Sequence, residues 1–287
     1  MRSRWFTLIA VTLLTINIAN PSFAVSSTRY LILEIHPYKS PSKLIKAYSP
    51  LANYLSQAIG RIVEVRIAKN YQSHIDAIGN NKVDIAFMGP ASYVKLVDQY
   101  QQKPILACLV IHGKKTFQGK IITRIDSGIN SLSQLKGKRF AFGDKESTMS
   151  HLVPRFLLYQ AGIDVRQLKK FAFLGSHDNV ALAVLAGDYD AGAVKEEVFY
   201  KYQQRGLKSI KDTPKLTEHV FVTRSDLDPN LIKQLKAALL HAQDAPNAKS
   251  MLTSIKKGLT GFADVKDSDY DTLRHILSRL KTLGVDL

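Results

Sequence analysis

Val83-Asp84-Ile85-Ala86-Phe87-Met88-Gly89-Pro90-Ala91-Ser92 reads as a buried strand that passes through a glycine into a helix with proline near its first turn. The same unit lies on either side of it. Upstream, residues 30–35 form an apolar strand, and His36-Pro37-Tyr38-Lys39-Ser40-Pro41-Ser42 a loop. Leu44, Ile45, Ala47, Tyr48, Leu51, Ala52, Tyr54, Leu55 and Ile59 then recur at helical spacing until Gly60, with Pro50 expected to kink or break the helix. Residues 62–68 alternate as a strand, Asn70-Tyr71-Gln72-Ser73 opens a short helix through Ile75 and Ile78, and Asn80-Asn81-Lys82 turns the chain. Downstream, residues 104–111 are a further strand and His112-Gly113-Lys114-Lys115 marks a break.

A second alternating series starts near Gly119, with strands expected at 121–124, 139–142, 171–174 and 190–194. A return strand at 219–223 is followed, on this reading, only by helices rich in Lys, Leu and Ala. Such alternation describes an α/β fold of mostly parallel sheets flanked by helices, which bind ligands at the carboxyl ends of their strands. The simplest arrangement is two lobes. Residues 25–115 and 219–287 would build lobe 1 and residues 116–218 lobe 2, with two crossovers forming a hinge and a cleft between them.

Met1-Arg2-Ser3-Arg4, the apolar run 5–19 and Pro21-Ser22-Phe23-Ala24 have the form of a secretory signal peptide, with cleavage expected after Ala24. Val25 rather than cysteine follows, so no lipoprotein anchor is expected there. About 260 residues remain, without a further stretch apolar enough to span a bilayer and enough for two cores. Cys108 is the only cysteine, which excludes an intramolecular disulfide and, for an exported chain, suggests a periplasm. The net charge of +16 comes from scattered lysines and arginines, without the motif or aromatic-interleaved stripe of a nucleic-acid binder. It favours anionic ligands or an anionic membrane face through long-range attraction.

Signals of catalysis are poor. Ser40-Pro41-Ser42-Lys43 fits S-x-x-K but lacks its Ser-Asp-Asn and Lys-Thr-Gly companions, and neither G-x-S-x-G, a P-loop nor H-E-x-x-H occurs. The eight histidines are dispersed, and no metal or other cofactor is expected. Gly143-Asp144-Lys145-Glu146-Ser147-Thr148-Met149-Ser150-His151-Leu152-Val153-Pro154 instead runs from a strand through clustered hydroxyls into a helix. Helix starts leave N–H groups unpaired, so Ser147, Thr148 and Ser150 either complete a shell of donors around an oxyanion or simply cap the helix.

The order of motifs resolves that choice toward a ligand. Asn70-Tyr71, Val83-Asp84-Ile85-Ala86 and Gly89-Pro90-Ala91-Ser92-Tyr93 are similar to the periplasmic phosphonate-binding proteins of ABC transporters, the PhnD-like family. Asp126-Ser127-Gly128-Ile129, Leu135-Lys136-Gly137-Lys138, Phe142-Gly143-Asp144, Ser147-Thr148, Leu152-Val153-Pro154, Ser176-His177 and Asp190-Ala191-Gly192 continue the likeness in order and spacing. The resemblance implies a bilobed periplasmic-binding-protein fold of type II that closes on a small phosphonate, phosphite or phosphate, makes and breaks no bond, and delivers the ligand to an ABC permease. The alternatives are an input protein for a membrane-bound histidine kinase or cyclase, or an exported enzyme on the same fold. Contact with the membrane would run only through a partner.

By the same resemblance, Ser147 and Thr148 hold the family's phosphonate-gripping positions, and Tyr71 and His177 match its ligand-contacting tyrosine and histidine. Hydroxyls both donate and accept, so this grip needs no fixed positive charge. Ser150 stands where the family usually has glycine and Met149 where it often has serine. Tyr38 and Tyr93 are weaker candidates because they follow strands whose carboxyl ends should face the cleft. Phe117 occupies the place of a family tyrosine and lacks its hydroxyl. Glu197 matches an acid that recognises the amino group of an aminophosphonate, whereas a second such acid falls near Glu218-His219 in an open register. His151 has no family counterpart and is kept as a possibility.

Overall fold

The computed structural model describes residues 30–285, so the expected signal peptide at residues 1–24 lies outside the described residues. The first unit runs β1 (Leu31–Ile35), α1 (Pro41–Ile59), β2 (Val63–Ile67), α2 (Tyr71–Gly79), β3 (Ile85–Met88), α3 (Pro90–Tyr100) and β4 (Ile105–Ile111). A two-residue strand, β5 (Thr116–Phe117), leads into β6 (Gly119–Arg124), β7 (Arg139–Phe142), α4 (Val153–Gln160), β8 (Lys170–Phe173), α5 (His177–Leu185), β9 (Ala191–Lys195), α6 (Glu196–Gln203) and β10 (Leu207–Asp212). The chain returns through β11 (Leu216–Thr217) to β12 (Val220–Thr223), α7 (Pro229–Leu240), α8 (Ala248–Ile255), β13 (Leu259–Ala263) and α9 (Asp271–Thr282).

Two sheets result. The first has the order β13-β4-β12-β3-β1-β2 and the second β10-β6-β9-β7-β8, while β5 and β11 pair antiparallel as a separate ribbon between them. In the first sheet β1 is parallel to β2 and β3, and β12 lies antiparallel between β3 and β4, with β13 antiparallel to β4. In the second, β7 is parallel to β8 and β9, whereas β6 is antiparallel to β9 and β10. A few strands thus run against the common direction, which decides what lines the cleft.

One sequence expectation needs correction, and two gain detail. Strand β13 follows β12, so the C-terminal region is not purely helical; its short Leu259-Thr260-Gly261-Phe262-Ala263 run buries Leu259 and Phe262. Helix α1 runs unbroken through Pro50, because Leu44, Tyr48, Leu51, Ala52 and Leu55 bury one continuous face against the first sheet. Helix α9 does more than complete the first unit. It packs against both α3 and α4, burying Leu273, Ile276, Leu277 and Leu280. Among the described residues, no helix is long and apolar enough to cross a membrane.

Candidate ligand-binding site

A cavity of about 300 Å³ opens between the two units, within the size range of small-molecule sites. Strand direction explains its lining. Parallel strands contribute the residues just beyond their carboxyl ends: His36 and Tyr38 after β1, Tyr71 after β2, Gly89 and Ser92 after β3, Ser147 and Thr148 after β7, and His177 after β8. Lys195 is the last residue of β9, and Glu197 opens the helix behind it. Antiparallel strands reach the same edge with their amino ends, so Phe117 before β6, His219 before β12 and Lys256 before β13 also face the cavity. The amino ends of α2, α3, α5 and α6 meet there too, and their partial positive charge favours an anion.

Local structure sets each side chain. Asn70 caps α2 by accepting from the Ser73 N–H at 2.8 Å, which places Tyr71 at the first helical position. Burial, then the nearby Asp144 and Glu146 carboxylates, push the Tyr71 phenol well above its usual range, so it remains a donor. Ser147 Oγ accepts from the Ser150 N–H at 3.1 Å, and the chain then makes a wide π-helical turn over Thr148–Leu152 in which the Val153 N–H donates to the Thr148 carbonyl. Thr148 Oγ1 accepts from the Ala91 N–H of the other unit at 3.3 Å. Both hydroxyls already accept a protein hydrogen bond, which leaves their own hydrogens for the cavity.

The three cavity imidazoles are differently oriented. His36 Nδ1 donates to the Phe87 carbonyl at 3.0 Å, and His219 Nδ1 to the Glu218 carboxylate at 2.7 Å. His177 is reversed. Its Nδ1 accepts from the Lys195 backbone N–H at 3.1 Å, which leaves the ring hydrogen on Nε2 as a donor. Burial, reinforced by Lys195 and Lys256, pushes His177 down to about 3; burial and then Lys195 also lower His219. Burial opposes ionisation of Glu218, but the His219 hydrogen bond and the charges of Lys256 and Lys195 hold its carboxyl below the usual range. Burial and Lys256 lower the Lys195 ammonium to about 8.

Cross-unit contacts close the cleft around these groups. Lys95 of α3 pairs with Glu146, and Lys256 Nζ lies 3.0 Å from Glu197 and 3.7 Å from Glu218. His36 and His151 are both buried and, like His177 and His219, are held below the ordinary imidazole range chiefly by desolvation, His151 at about 4. Since the folded pKa values lie below the unfolded one, the unfolded chain takes up protons that the folded chain refuses as pH falls through about 6.5, and stability drops with falling pH. The melting temperature is therefore expected to fall steadily from pH 7 to pH 5 in scanning calorimetry; a constant value over that range would show that these imidazoles are not held neutral.

Of the residues expected at the site, Ser147, Thr148, Tyr71, His177, Glu197 and Tyr38 share the cavity, and Phe117 lies on its wall. Tyr93, Ser150 and His151 do not. Tyr93 is fully buried in α3, its ring packed 4.7 Å from that of Tyr270 and its hydroxyl donating to Asp267, while its neighbour Ser92 takes the cavity side. Ser150 Oγ turns back to the Ala193 carbonyl at 2.5 Å beneath Gly143. His151 packs edge-on against Phe142 and Phe173 and bonds the Lys145 carbonyl through Nδ1. Sequence reading missed Lys195, Lys256, His36 and His219. Lys195 and His36 were detectable as polar residues at strand carboxyl ends.

Two α/β units joined by a short ribbon, with a polar cavity between their strand ends, define the periplasmic-binding-protein class. The chain belongs to the family of phosphonate-binding periplasmic substrate-binding proteins of ABC transporters, whose sequence profile matches residues 33–270. The phosphate-import protein PhnD of Mycolicibacterium smegmatis is 30% identical over 267 residues, 84% of this chain and 82% of the relative. A probable ABC transporter phosphite-binding protein, PhnD1 of Prochlorococcus marinus, is 26% identical over 252 residues, 82% and 84% of the two chains. The structure of PhnD1 from Prochlorococcus marinus in complex with methylphosphonate superposes with a TM-score of 0.77 at 24% identity, covering 88% of this chain and 99% of that one.

Proposed function

We propose that this protein captures a small tetrahedral oxyanion of the phosphonate, phosphite or phosphate class in the periplasm and hands it, chemically unchanged, to an ABC permease. The observation that carries this reading is the convergence of Ser147, Thr148, Tyr71 and His177 on one cavity at the ends of both sheets. Three hydroxyl donors and one imidazole N–H suit several oxygens on one centre better than a planar carboxylate. The names of the relatives, which import phosphate or bind phosphite, support the ligand class. Residues 25–115 with 219–287 and residues 116–218 act as lobes that close about the β5–β11 ribbon, and the liganded closed form is what the permease recognises. Export proceeds through residues 1–24, with cleavage after Ala24.

A thermal-shift panel tests the ligand class, because a ligand that binds only the native form raises the melting temperature. Phosphate, phosphite and methylphosphonate are each screened beside chloride and acetate. A rise with at least one of the phosphorus oxyanions, and none with the controls, is expected. No rise with any of the three would remove the reading.

A further inference from the structure

Lys195 is the residue that sets this cavity apart from a pure hydroxyl grip. It ends β9, its side chain lines the cavity, and its ammonium stands 5.2 Å over the Phe117 ring. Among the described residues it has no side-chain hydrogen bond and no carboxylate within 4 Å, although several carboxylates lie nearby. Those carboxylates face other cations or donors, although among the described residues Glu218 Oε1 has no hydrogen-bond partner and only Lys256 at 3.7 Å. Glu197 is taken by Lys256 at 3.0 Å, and Glu218 accepts from both the backbone N–H and the ring of His219. Glu197, the acid that would receive an amino group, already has its cation from the protein itself. The ring that the ammonium stands over, Phe117, offers no donor.

We propose that Lys195 is the charge partner of the bound ligand and that the site selects a doubly charged oxyanion bearing no amino group. The inference rests on the oxyanion reading above and narrows it. A cation inside a partly desolvated cavity strengthens hydrogen bonding to an anion and rewards a second negative charge. The same cation repels an aminoalkyl ammonium, and Lys256 adds to that repulsion from beside Glu197.

Methylphosphonate and methanesulfonate separate charge from shape, since both are tetrahedral and similar in size but only the first ionises twice. Titration calorimetry of the wild-type protein near pH 7.5 is expected to favour methylphosphonate over methanesulfonate. Lys195→Met keeps the aliphatic stem on Phe117; it should weaken methylphosphonate binding by about tenfold to a hundredfold, the scale of a lost charge-assisted hydrogen bond, and reduce the preference over methanesulfonate. Lys195→Gln gives the same result by a second route if the methionine variant does not fold. Wild-type methylphosphonate affinity in a folded variant would overturn the role of Lys195 while leaving the oxyanion reading intact. A wild-type protein that binds 2-aminoethylphosphonate more tightly than ethylphosphonate would overturn the exclusion of amines. Failure of the wild type to bind any of these phosphonates, phosphite or phosphate would overturn both readings together.

Discussion

Exchanging Ser147 for alanine and Thr148 for valine together is expected to weaken methylphosphonate binding by at least about a hundredfold, since each hydrogen bond to a charged oxygen contributes about 1.5–3 kcal/mol. The geometry explains why so little of that loss can be recovered. Ser147 Oγ accepts from the Ser150 N–H and Thr148 Oγ1 from Ala91 N, so both O–H bonds point away from those donors. The serine change also removes a helix-start cap, for about 0.5–2 kcal/mol of stability. Folding should survive this, as checked by circular dichroism and a melting curve, while calorimetry reads the affinity. A folded double variant that binds within about threefold of wild type would remove both hydroxyls from the site.

Gly143→Ala is expected to damage the same turn from beneath. A β-carbon at Gly143 would stand 2.3 Å from Ser150 Oγ and 2.8 Å from Ser150 Cβ. Ser150 has nowhere to move, because its hydroxyl is bonded to the Ala193 carbonyl and its own carbonyl accepts from the Gly143 N–H at 3.1 Å. Overpacking of this kind costs about 1–3 kcal/mol and here would displace the π-helical turn that carries Thr148. Chemical denaturation should show the loss, and adding Ser150→Gly to Gly143→Ala should recover part of it by clearing the space. A single variant as stable as wild type, or a double variant no better than the single one, would show that the contact is not limiting.

The alternation of strands and helices was legible because buried parallel strands are short apolar runs punctuated by Gly, Pro and Asn. Residues 83–92 alone hold a strand, a helix start and one wall of the cavity. The direction of the crossover strands was not legible. Nothing in residues 220–223 or 259–263 announces that they run against their neighbours, and that direction brings His219 and Lys256 to the cleft through their amino ends. Strand-end reasoning based on carboxyl ends passes over both. It also promoted Tyr93, three positions inside α3, where one step of about 100° around the helix separates the cavity-facing Ser92 from a core tyrosine. In the turn after β7, the wide π-helical path keeps Ser150 and His151 off the cavity wall, to which Asp144, Glu146, Ser147, Thr148 and Met149 contribute.

Electrostatics were the least legible part. Scattered lysines in a sequence of net charge +16 carry no positional signal, and a hydroxyl grip needs no fixed positive charge. Folding brings Lys195 to the end of a central strand and pairs Lys256 with Glu197, so the resemblance-based role of Glu197 toward an amine meets a cation already in place. Pairings between groups more than fifty residues apart arise from topology and not from spacing.

Capture of a phosphorus oxyanion in the cleft is tested most directly by titrating methylphosphonate into protein spanning residues 25–287 in a calorimeter. One saturable site per chain is expected, lost in the Ser147→Ala/Thr148→Val variant. A wild-type protein that gives no saturable binding to methylphosphonate, phosphite or phosphate would contradict it.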